Sequence, residues 1–368
     1  MSNFSVKVQK ATIVEHPNAN QLELCNVADY QAIVRKNHFK NGELIVYIPE
    51  QSLVPVSILR EMGLEGKLAG KNGNRVKAIK LRGVLSQGLI YPCKPEWQEG
   101  QDVTEILGIT KWEPPIPAHL AGEVYNAGSD KTIKYDIENF KNYPNIFQEN
   151  EQVVFTEKLH GTFCCMALLP KKFQHPEYGQ FFVTSKGLSS RGLALKTNSD
   201  GNKNNLYVRV AKHYHMDNRI NFAFGNVIKN EIDPRPVYVI GELFGAGVQD
   251  LAYGASSVQD ESVGFRVFDI YVGMPGKGRY LQDNELEPAC KRLGLNRVPV
   301  LYRGPFSKQK MLEYTDGLET ISGKSIHIRE GIIIRPVIER TDPEIGRAQL
   351  KSVSADYLTR KGNTTEHQ

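Results

Sequence analysis

Residues 152–168 read QVVFTEKLHGTFCCMAL, two apolar runs separated by a turn that holds a lysine, a histidine and a glycine. The apolar runs predict two strands, and Gly161 between them predicts a tight turn. Lys158 ends the first strand, where a lysine is an unusual choice for packing. A single lysine at the end of a strand is most often only a solvated surface residue. Whether Lys158 has a function therefore has to be judged from the rest of the chain.

Further charged residues stand at predicted strand ends in apolar surroundings. The Glu330-Gly331 pair, which opens an Ile-Ile-Ile run, is hard to explain by packing alone. Together with Lys158, these residues indicate one site assembled from several strands. The segments are Ser185–Gly192, Ile240–Gly245, Phe265–Ile270, Glu330–Arg335 and Leu350–Ser354.

The length and composition are those of a globular protein with two domains. The chain has 368 residues, of which 40% are hydrophobic and 24% charged. These values allow sizeable cores and exclude a mostly disordered, fibrous or membrane-embedded chain. No apolar run approaches the roughly 18–20 residues that cross a bilayer. The N-terminus also lacks the apolar core of a secretory signal, so we expect no membrane association.

The order of predicted elements divides the chain into segments. Short strands broken by turns fill residues 1–100 and predict an OB-like β-barrel that binds RNA or a duplex. Residues 75–83, RVKAIKLRG, are predicted as one of its strands, with a bulge where the alternation changes parity and residues 84–87 as the link to the next strand. The remaining segments are a connector (101–135), an α+β domain of antiparallel sheets with flanking helices (136–355) and a tail (356–368).

The charge distribution favours a nucleic-acid partner, and the cysteine content favours a reducing compartment. The net charge is +5, and residues 66–82 carry six basic and no acidic side chains. This favours contact with a phosphate backbone over a merely solvated hairpin. The five cysteines show no CxxC spacing, so we expect neither a disulfide framework nor a zinc site. We therefore expect a cytoplasmic location. Adjacent Cys164 and Cys165 are expected to face opposite sides of a strand.

In order and approximate spacing, the charged segments resemble the motifs of covalent nucleotidyltransferases, the superfamily of polynucleotide ligases and mRNA capping enzymes. The resemblance covers roughly residues 136–355 and implies an ATP-grasp-like nucleotidyltransferase domain. In that superfamily a lysine attacks the α-phosphorus of ATP and becomes adenylylated, with Mg²⁺ or Mn²⁺ to offset charge. Lys158 matches that lysine.

The other roles follow from the same resemblance, position by position. Glu242 matches the carboxylate that binds the ribose, Phe268 the aromatic that stacks on adenine, and Lys351 the lysine that contacts the α-phosphate. Glu330 matches the carboxylate that holds the metal through its waters. Further nucleotide-binding matches are Glu157, His160, Gly161 and Arg191, and the candidate nucleic-acid contacts are Lys186, Arg75, Lys77, Lys80 and Arg82.

Two departures from the superfamily motifs, together with the order of the domains, narrow the choice among the enzymes of the superfamily. Most of the superfamily has aspartate where this chain has His160, whereas a branch of RNA ligases resembles the histidine form. After Lys351 stands Ser-Val-Ser, with serine where a second lysine is frequent. DNA ligases and capping enzymes place an OB domain after this motif, but here the OB-like segment comes first. Its opening, His16–Leu24, looks like an element of tRNA-binding OB modules.

This arrangement resembles a small group of RNA ligases typified by a bacterial repair enzyme. It implies an ATP-dependent RNA ligase that joins 3′-OH and 5′-phosphate ends at breaks in RNA or RNA/DNA duplexes, with ATP and Mg²⁺ or Mn²⁺. We expect a monomer without an obligate protein partner. The alternatives are a DNA ligase or capping-type nucleotidyltransferase, which GTP use or sealing of all-DNA nicks would favour, and a non-catalytic RNA-binding protein.

Overall fold

The computed structural model describes residues 4–112, 121–245, 248–251, 253 and 264–360. They form two compact units. The N-terminal unit comprises residues 4–112, 140–144 and 355–360, and the larger unit the described residues of 121–139 and 145–354. The connector and domain limits drawn from the sequence stay predictions. Of the predicted tail, residues 361–368 lie outside the described part of the chain.

Short antiparallel strands build the N-terminal unit. Its elements are β1 (Lys7–Lys10), β2 (Thr12–Glu15), β3 (Leu22–Val27), β4 (Tyr30–Arg35), β5 (Leu44–Ile48), β6 (Ser52–Leu53), α1 (Val56–Glu61), β7 (Ile79–Leu81), β8 (Val84–Ser86), β9 (Leu89–Pro92), β10 (Thr110–Lys111), a 3-10 turn (Phe140–Asn142) and a helix at Ala355–Thr359. The strands pair in the orders β1-β5-β9, β2-β3-β4, β6-β10 and β7-β8. Ile45 and Tyr47 of β5 lie in one apolar cluster and Val46 and Ile48 in another. This strand is therefore buried on both faces and lies between the two apolar clusters of the unit.

The strand predicted over residues 75–83 is wrong in its extent. Only Ile79–Leu81 forms a regular strand, and the chain turns back at once into Val84–Ser86, which had been predicted as part of a link. The turn residues Arg82 and Gly83 have positive φ angles of 50° and 83°. Two positive φ angles match the right-handed twist of a tight hairpin. The change of parity therefore reflects irregular backbone before β7 rather than a bulge.

Two sheets and a two-stranded hairpin, β22-β23, build the larger unit. Its strands are β11 (Val124–Asn126), β12 (Glu138–Asn139), β13 (Gln152–Lys158), β14 (Thr162–Leu168), β15 (Phe181–Ser185), β16 (Leu193–Leu195), β17 (Val237–Phe244), β18 (Gly264–Val272), β19 (Arg279–Tyr280), β20 (Val300–Pro305), β21 (Gly331–Pro336), β22 (Thr341–Asp342), β23 (Gly346–Arg347) and β24 (Leu350–Val353). The seven-stranded sheet has the order β11-β16-β15-β14-β17-β18-β19, and the five-stranded sheet β12-β24-β21-β13-β20. Apart from β12 and β24, neighbouring strands in both sheets are antiparallel, as predicted.

Helices cover one face of the seven-stranded sheet and leave the other to a second core. These helices are α2 (Lys186–Ser189), α3 (Leu206–His213), α4 (Met216–Ile228) and α5 (Asp283–Leu293), whereas α6 (Lys308–Thr315) packs on β21 and β24 of the five-stranded sheet. Cys164 of β14 packs in the helix-covered core and Cys165 in the core of the other face, which confirms the predicted alternation. Within the described part of the chain, no helix is long and apolar enough to cross a membrane.

A buried carboxylate ties the two sheets together. Asp269 of β18 is fully buried, and Arg347 donates to its two oxygens at 2.7 and 3.0 Å. Arg335 of β21 donates to it at 3.1 Å, and the Tyr135 hydroxyl adds a further hydrogen bond. Burial by itself would raise the pKa of Asp269, but Arg347 and Arg335 together hold it below its ordinary value. The link between β18 and β21 is therefore an ionised group with charged partners.

We predict that Asp269→Ala lowers the free energy of unfolding by about 3–5 kcal/mol, because the buried Arg335 loses its nearest carboxylate and Arg347 keeps only that of Glu339. Since the folded-state pKa of Asp269 is depressed, its contribution is present above the unfolded pKa of about 3.9 and is lost as the pH falls. Urea denaturation at several pH values measures both effects.

The matched control is Asp233→Ala, which removes an exposed carboxylate paired with Arg235 at 3.3 Å. It should change stability by no more than about 0.5 kcal/mol. Equal losses for the two variants would contradict a structural role for the buried link.

Candidate active site

The lysine turn connects β13 to β14. Lys158 is the last residue of β13 and Thr162 the first of β14, so that His160 and Gly161 lie in the turn. Gly161 approaches β17 so closely that a Cβ atom would lie 2.1 Å from the carbonyl oxygen of Leu243. Backbone contact of this kind excludes every side chain, which explains the glycine beside the lysine.

Lys158 contacts a buried acid from the neighbouring strand. Its Nζ forms a short hydrogen bond with Oε1 of Glu330. The Lys158 side chain is 22% exposed and the Glu330 side chain 3%. Gly331 lies opposite Lys158 in the register of β13 and β21, and a Cβ there would lie 2.1 Å from the carbonyl oxygen of Ser352. The Glu-Gly pair thus supplies a carboxylate and the close strand packing beside it.

The register of the five-stranded sheet places a second lysine on the same face. Thr156, Ile333 and Lys351 lie opposite one another across β13, β21 and β24. Lys158 and Gly331 form the next row on that face, because side chains alternate along each strand. Lys351 is buried, with 5% of its surface exposed. Both motif lysines therefore face the same side of the sheet.

Phe268 lies on the facing sheet at an irregularity in β18. The register of β17 and β18 shifts at this point, so that Phe268 is the extra residue of a β-bulge. Such a bulge re-aims the side chain of the extra residue. The ring is half-buried, with its centroid 5.3 Å from that of Tyr135 and 6.1 Å from that of Phe163. The Phe268 ring is therefore only partly buried, on the face of the seven-stranded sheet opposite the helices.

Glu242 shares this side of the seven-stranded sheet, because it lies opposite Phe163 in the register of β14 and β17. Burial raises the pKa of Glu242 to about 8; Lys158 and Lys186 act in the opposite direction, and Glu330 adds to the rise. A Cβ atom at Gly161 would lie 2.9 Å from Cγ of Glu242, which places Glu242 beside the lysine turn. At neutral pH most of this carboxyl carries a proton and can donate a hydrogen bond.

The two basic candidates around α2 differ in their surroundings. Lys186 Nζ lies 2.7 Å from an oxygen of Asp136, and both side chains are 30% exposed. Arg191 is exposed, and its Nε donates to the carbonyl oxygen of Gly187 at 3.0 Å, within its own turn. Lys186 is thus the one whose charge reaches Glu242.

Glu157 faces away from Lys158, because adjacent side chains of a strand point to opposite sides. Its buried carboxylate accepts hydrogen bonds from the Thr320 backbone N–H at 3.0 Å and from the Thr320 hydroxyl at 2.5 Å. Burial still raises the pKa of Glu157 above its ordinary value. This carboxylate anchors the loop after α6, and a nucleotide contact of Glu157 stays a prediction.

Three residues that the sequence analysis did not single out hold the turn itself. The Gln249 amide donates to the carbonyl oxygen of Gly161, and the His160 backbone N–H donates to the Tyr253 hydroxyl at 2.6 Å. The buried imidazole of His160 has its Nε2 2.6 Å from Oδ1 of Asp250. These residues follow β17 in irregular chain, where no periodic pattern marks them, so only the fold reveals them.

Two of the basic residues predicted to bind nucleic acid are engaged within the N-terminal unit. The Arg75 guanidinium lies over the Trp112 ring, 4.0 Å from its centroid. Lys80 Nζ lies 2.8 Å from an oxygen of Asp356. Lys77 is half-buried, and Arg82 is exposed at the tip of the β7–β8 hairpin. A role of these residues in nucleic-acid binding stays a prediction.

The residues around Lys158 suit a divalent ion that arrives with a phosphate-rich ligand. Among the residues described, no three His, Cys, Asp or Glu side chains cluster closely enough to hold a metal ion by themselves. The site offers instead the buried carboxylate of Glu330 next to Lys158. Mg²⁺ is commonly held by one or two carboxylates, with waters and substrate phosphates completing its shell. The residues present therefore fit the predicted metal.

Comparison with known proteins gives family matches for two segments of the chain. Residues 151–353 match the model of the RNA ligase family, and residues 5–93 match that of an OB-fold domain. No curated protein sequence matches the chain.

Among solved structures, the chain is similar to several of Naegleria gruberi RNA ligase. An aspartate-to-alanine mutant without ligand is 26% identical, with 96% of each chain covered and a TM-score of 0.74. The enzyme with pyrophosphate and a lysine-to-methionine mutant with AMP and Mn are each 25% identical; 96% of this chain and 97% of theirs are covered, with TM-scores of 0.74. The predicted α+β fold, an OB domain followed by a nucleotidyltransferase domain, is confirmed.

The pKa of Glu242 makes a prediction about stability. A buried carboxyl with a raised pKa stabilises the fold while it is protonated, and this contribution is lost as the pH rises through about 8. Glu242→Gln, which cannot ionise, should therefore melt at a higher temperature than the unchanged chain at pH 9, with a smaller difference at pH 6. Thermal melting at both pH values measures it, and a difference independent of pH would contradict the assigned cause.

Proposed function

The chain belongs to the RNA ligase family, and we propose that it joins RNA ends with ATP through a covalent lysine–AMP intermediate. The contact of Lys158 with the buried Glu330 carries this proposal, since Lys351 and Glu242 share the site. Structures of Naegleria gruberi RNA ligase contain AMP and Mn, or pyrophosphate. These are the nucleotide product and the leaving group of adenylyl transfer, so they support ATP and a divalent metal for this chain.

In the first step Lys158 Nζ attacks the α-phosphorus of ATP. A nitrogen–phosphorus bond forms, the bond to the bridging oxygen breaks, and pyrophosphate leaves. The amine must first lose its proton, which its ordinary pKa of about 10.4 opposes. The pair with Glu330 favours the ammonium form, so this pair has to break when ATP binds. Glu330 would hold a divalent ion, which would supply positive charge to offset the triphosphate.

The next two steps use the same site. An oxygen of the RNA 5′-phosphate attacks the AMP phosphorus, the bond to Lys158 breaks, and the lysine regains a proton. The 3′-OH then attacks the 5′-phosphorus, loses its proton and expels AMP. Lys351, on the same sheet face as Lys158, stabilises the negative charge that develops on the phosphoryl oxygens in each step.

The nucleotide is recognised by groups of the facing sheet. Phe268, aimed by its bulge, stacks on adenine, a contact of about 1–3 kcal/mol. Glu242 hydrogen-bonds the ribose, where its protonated carboxyl can donate as well as accept. His160 and Gly161 shape the phosphate end of the pocket. Lys186 lies on α2, and Arg191 lies in the turn that follows this helix. From these positions either cation can contact the ribose or the RNA end.

The substrate is a broken strand in an RNA or RNA/DNA duplex, and the chain acts as a monomer. The N-terminal unit, which holds the basic segment 66–82, contacts the phosphate backbone. Such contacts orient a duplex without reading its bases, so sealing should depend on the position of the break rather than on sequence.

Labelling with radioactive nucleotide tests the proposal. The purified chain is incubated with α-labelled ATP or GTP and Mg²⁺ or Mn²⁺, then run on a denaturing gel. We predict label from ATP and none in Lys158→Ala, which should remain folded. Lys229→Ala, which removes an exposed lysine at the end of α4, is the control and should label fully. Label in Lys158→Ala would refute the assignment of the nucleophile.

A second prediction concerns the nucleic acid. A nick whose 3′-OH end is RNA should be sealed at least about tenfold faster than the same nick in all-DNA, because a 2′-OH is what distinguishes RNA at such a site. Both substrates are compared at one salt concentration, since phosphate contacts make the rates salt-dependent. Equal rates would favour the DNA ligase alternative.

A further inference from the structure

We propose that Asp250 is a positioning residue, which orients His160 and thereby holds the Lys158 turn ready for adenylyl transfer. This inference rests on the proposed function. It concerns an acid outside the motifs, contributed by the chain that follows β17, and it explains how a turn containing glycine is kept in one conformation.

The imidazole of His160 lies between two carboxylates. It is 1% exposed, its Nε2 is 2.6 Å from Oδ1 of Asp250, and its Nδ1 is 4.0 Å from Oε2 of Glu330. A hydrogen bond from Nε2–H to Asp250 fixes the plane of the ring and turns Nδ1 toward Glu330. Glu330 is the partner of Lys158. Asp250 therefore acts on the nucleophile through one intervening side chain and its partner.

Two further contacts from the same stretch of chain fix the backbone of the turn. The Gln249 amide donates to the carbonyl oxygen of Gly161, and the Tyr253 hydroxyl accepts from the His160 N–H. Tyr253 is itself anchored, since its ring lies 4.4 Å from that of His327 and 5.3 Å from that of Phe244. The side chain and the backbone of His160 are thus both held, and Asp250 is the member that supplies charge.

Asp250→Asn tests this role, because it keeps the shape of the side chain and removes its charge. We expect the single-turnover rate of Lys158 adenylylation to fall about 10-fold, because the amide oxygen of asparagine still accepts from His160 Nε2–H but the hydrogen bond is no longer charge-assisted. The apparent affinity for ATP should stay within about twofold, since Asp250 acts through His160 rather than on the nucleotide. Asp233→Asn, an exposed acid elsewhere on the same unit, is the matched control and should leave the rate unchanged.

A double-mutant cycle separates positioning from a structural role. If Asp250 acts through His160, Asp250→Asn should add little to the rate loss of His160→Asn. Additive losses would overturn the proposal, as would a rate within twofold of the unchanged chain in Asp250→Asn. A loss that follows a fall in melting temperature and vanishes at a lower assay temperature would overturn it as well. An unchanged chain that takes no label contradicts the proposed function itself, and this inference with it.

Discussion

The candidate site depends on a buried charge. Asp269 draws Arg335 of one sheet and Arg347 of the β22–β23 hairpin onto β18 of the other. Ionised groups in an interior cost several kcal/mol to desolvate unless their partners are well placed, so this arrangement tolerates little displacement. Phe268 precedes Asp269 directly, and Arg335 lies on the same sheet face as Lys158, four residues from Gly331. The link that joins the sheets thereby also sets the distance between the groups proposed to bind the base and the phosphates.

The contact with Glu330 makes Lys158 harder to deprotonate, and other charges of the site oppose this effect. A buried carboxylate stabilises the ammonium form of the lysine, which is not nucleophilic. Lys351 on the same face and Lys186 near Glu242 supply opposing positive charge. The site is therefore arranged so that a bound polyanion is favoured while the lysine is held in place. Glu242, protonated at neutral pH, adds no further negative charge to it.

The sequence alone was sufficient to identify the charged residues that stand in apolar strands. Lys158, Glu330 and Lys351 are charged residues in apolar strands, and the strand register brings all three to one region. The direction of Glu157 also follows from alternation along β13, although the motif resemblance had grouped it with the nucleotide contacts.

Other features depend on contacts that no local pattern records. Asp250 reaches His160 across 90 positions, from chain without strand or helix periodicity. In the N-terminal unit, Arg75 stacks on Trp112 and Lys80 pairs with Asp356, although the sequence analysis predicted both cations as nucleic-acid contacts. Charge runs in a sequence show which residues are basic, but only the fold shows which of them already have partners.

The most direct test of the account is to isolate the chain after incubation with ATP and metal, remove free nucleotide, and add a nicked duplex with an RNA 3′-OH and a 5′-phosphate. We predict that the isolated protein, mapped by mass spectrometry, carries one AMP on Lys158, and that it seals the nick without further ATP while this AMP is released. Sealing that needs fresh ATP although Lys158 carries AMP, or AMP found on another residue, would contradict the central claim.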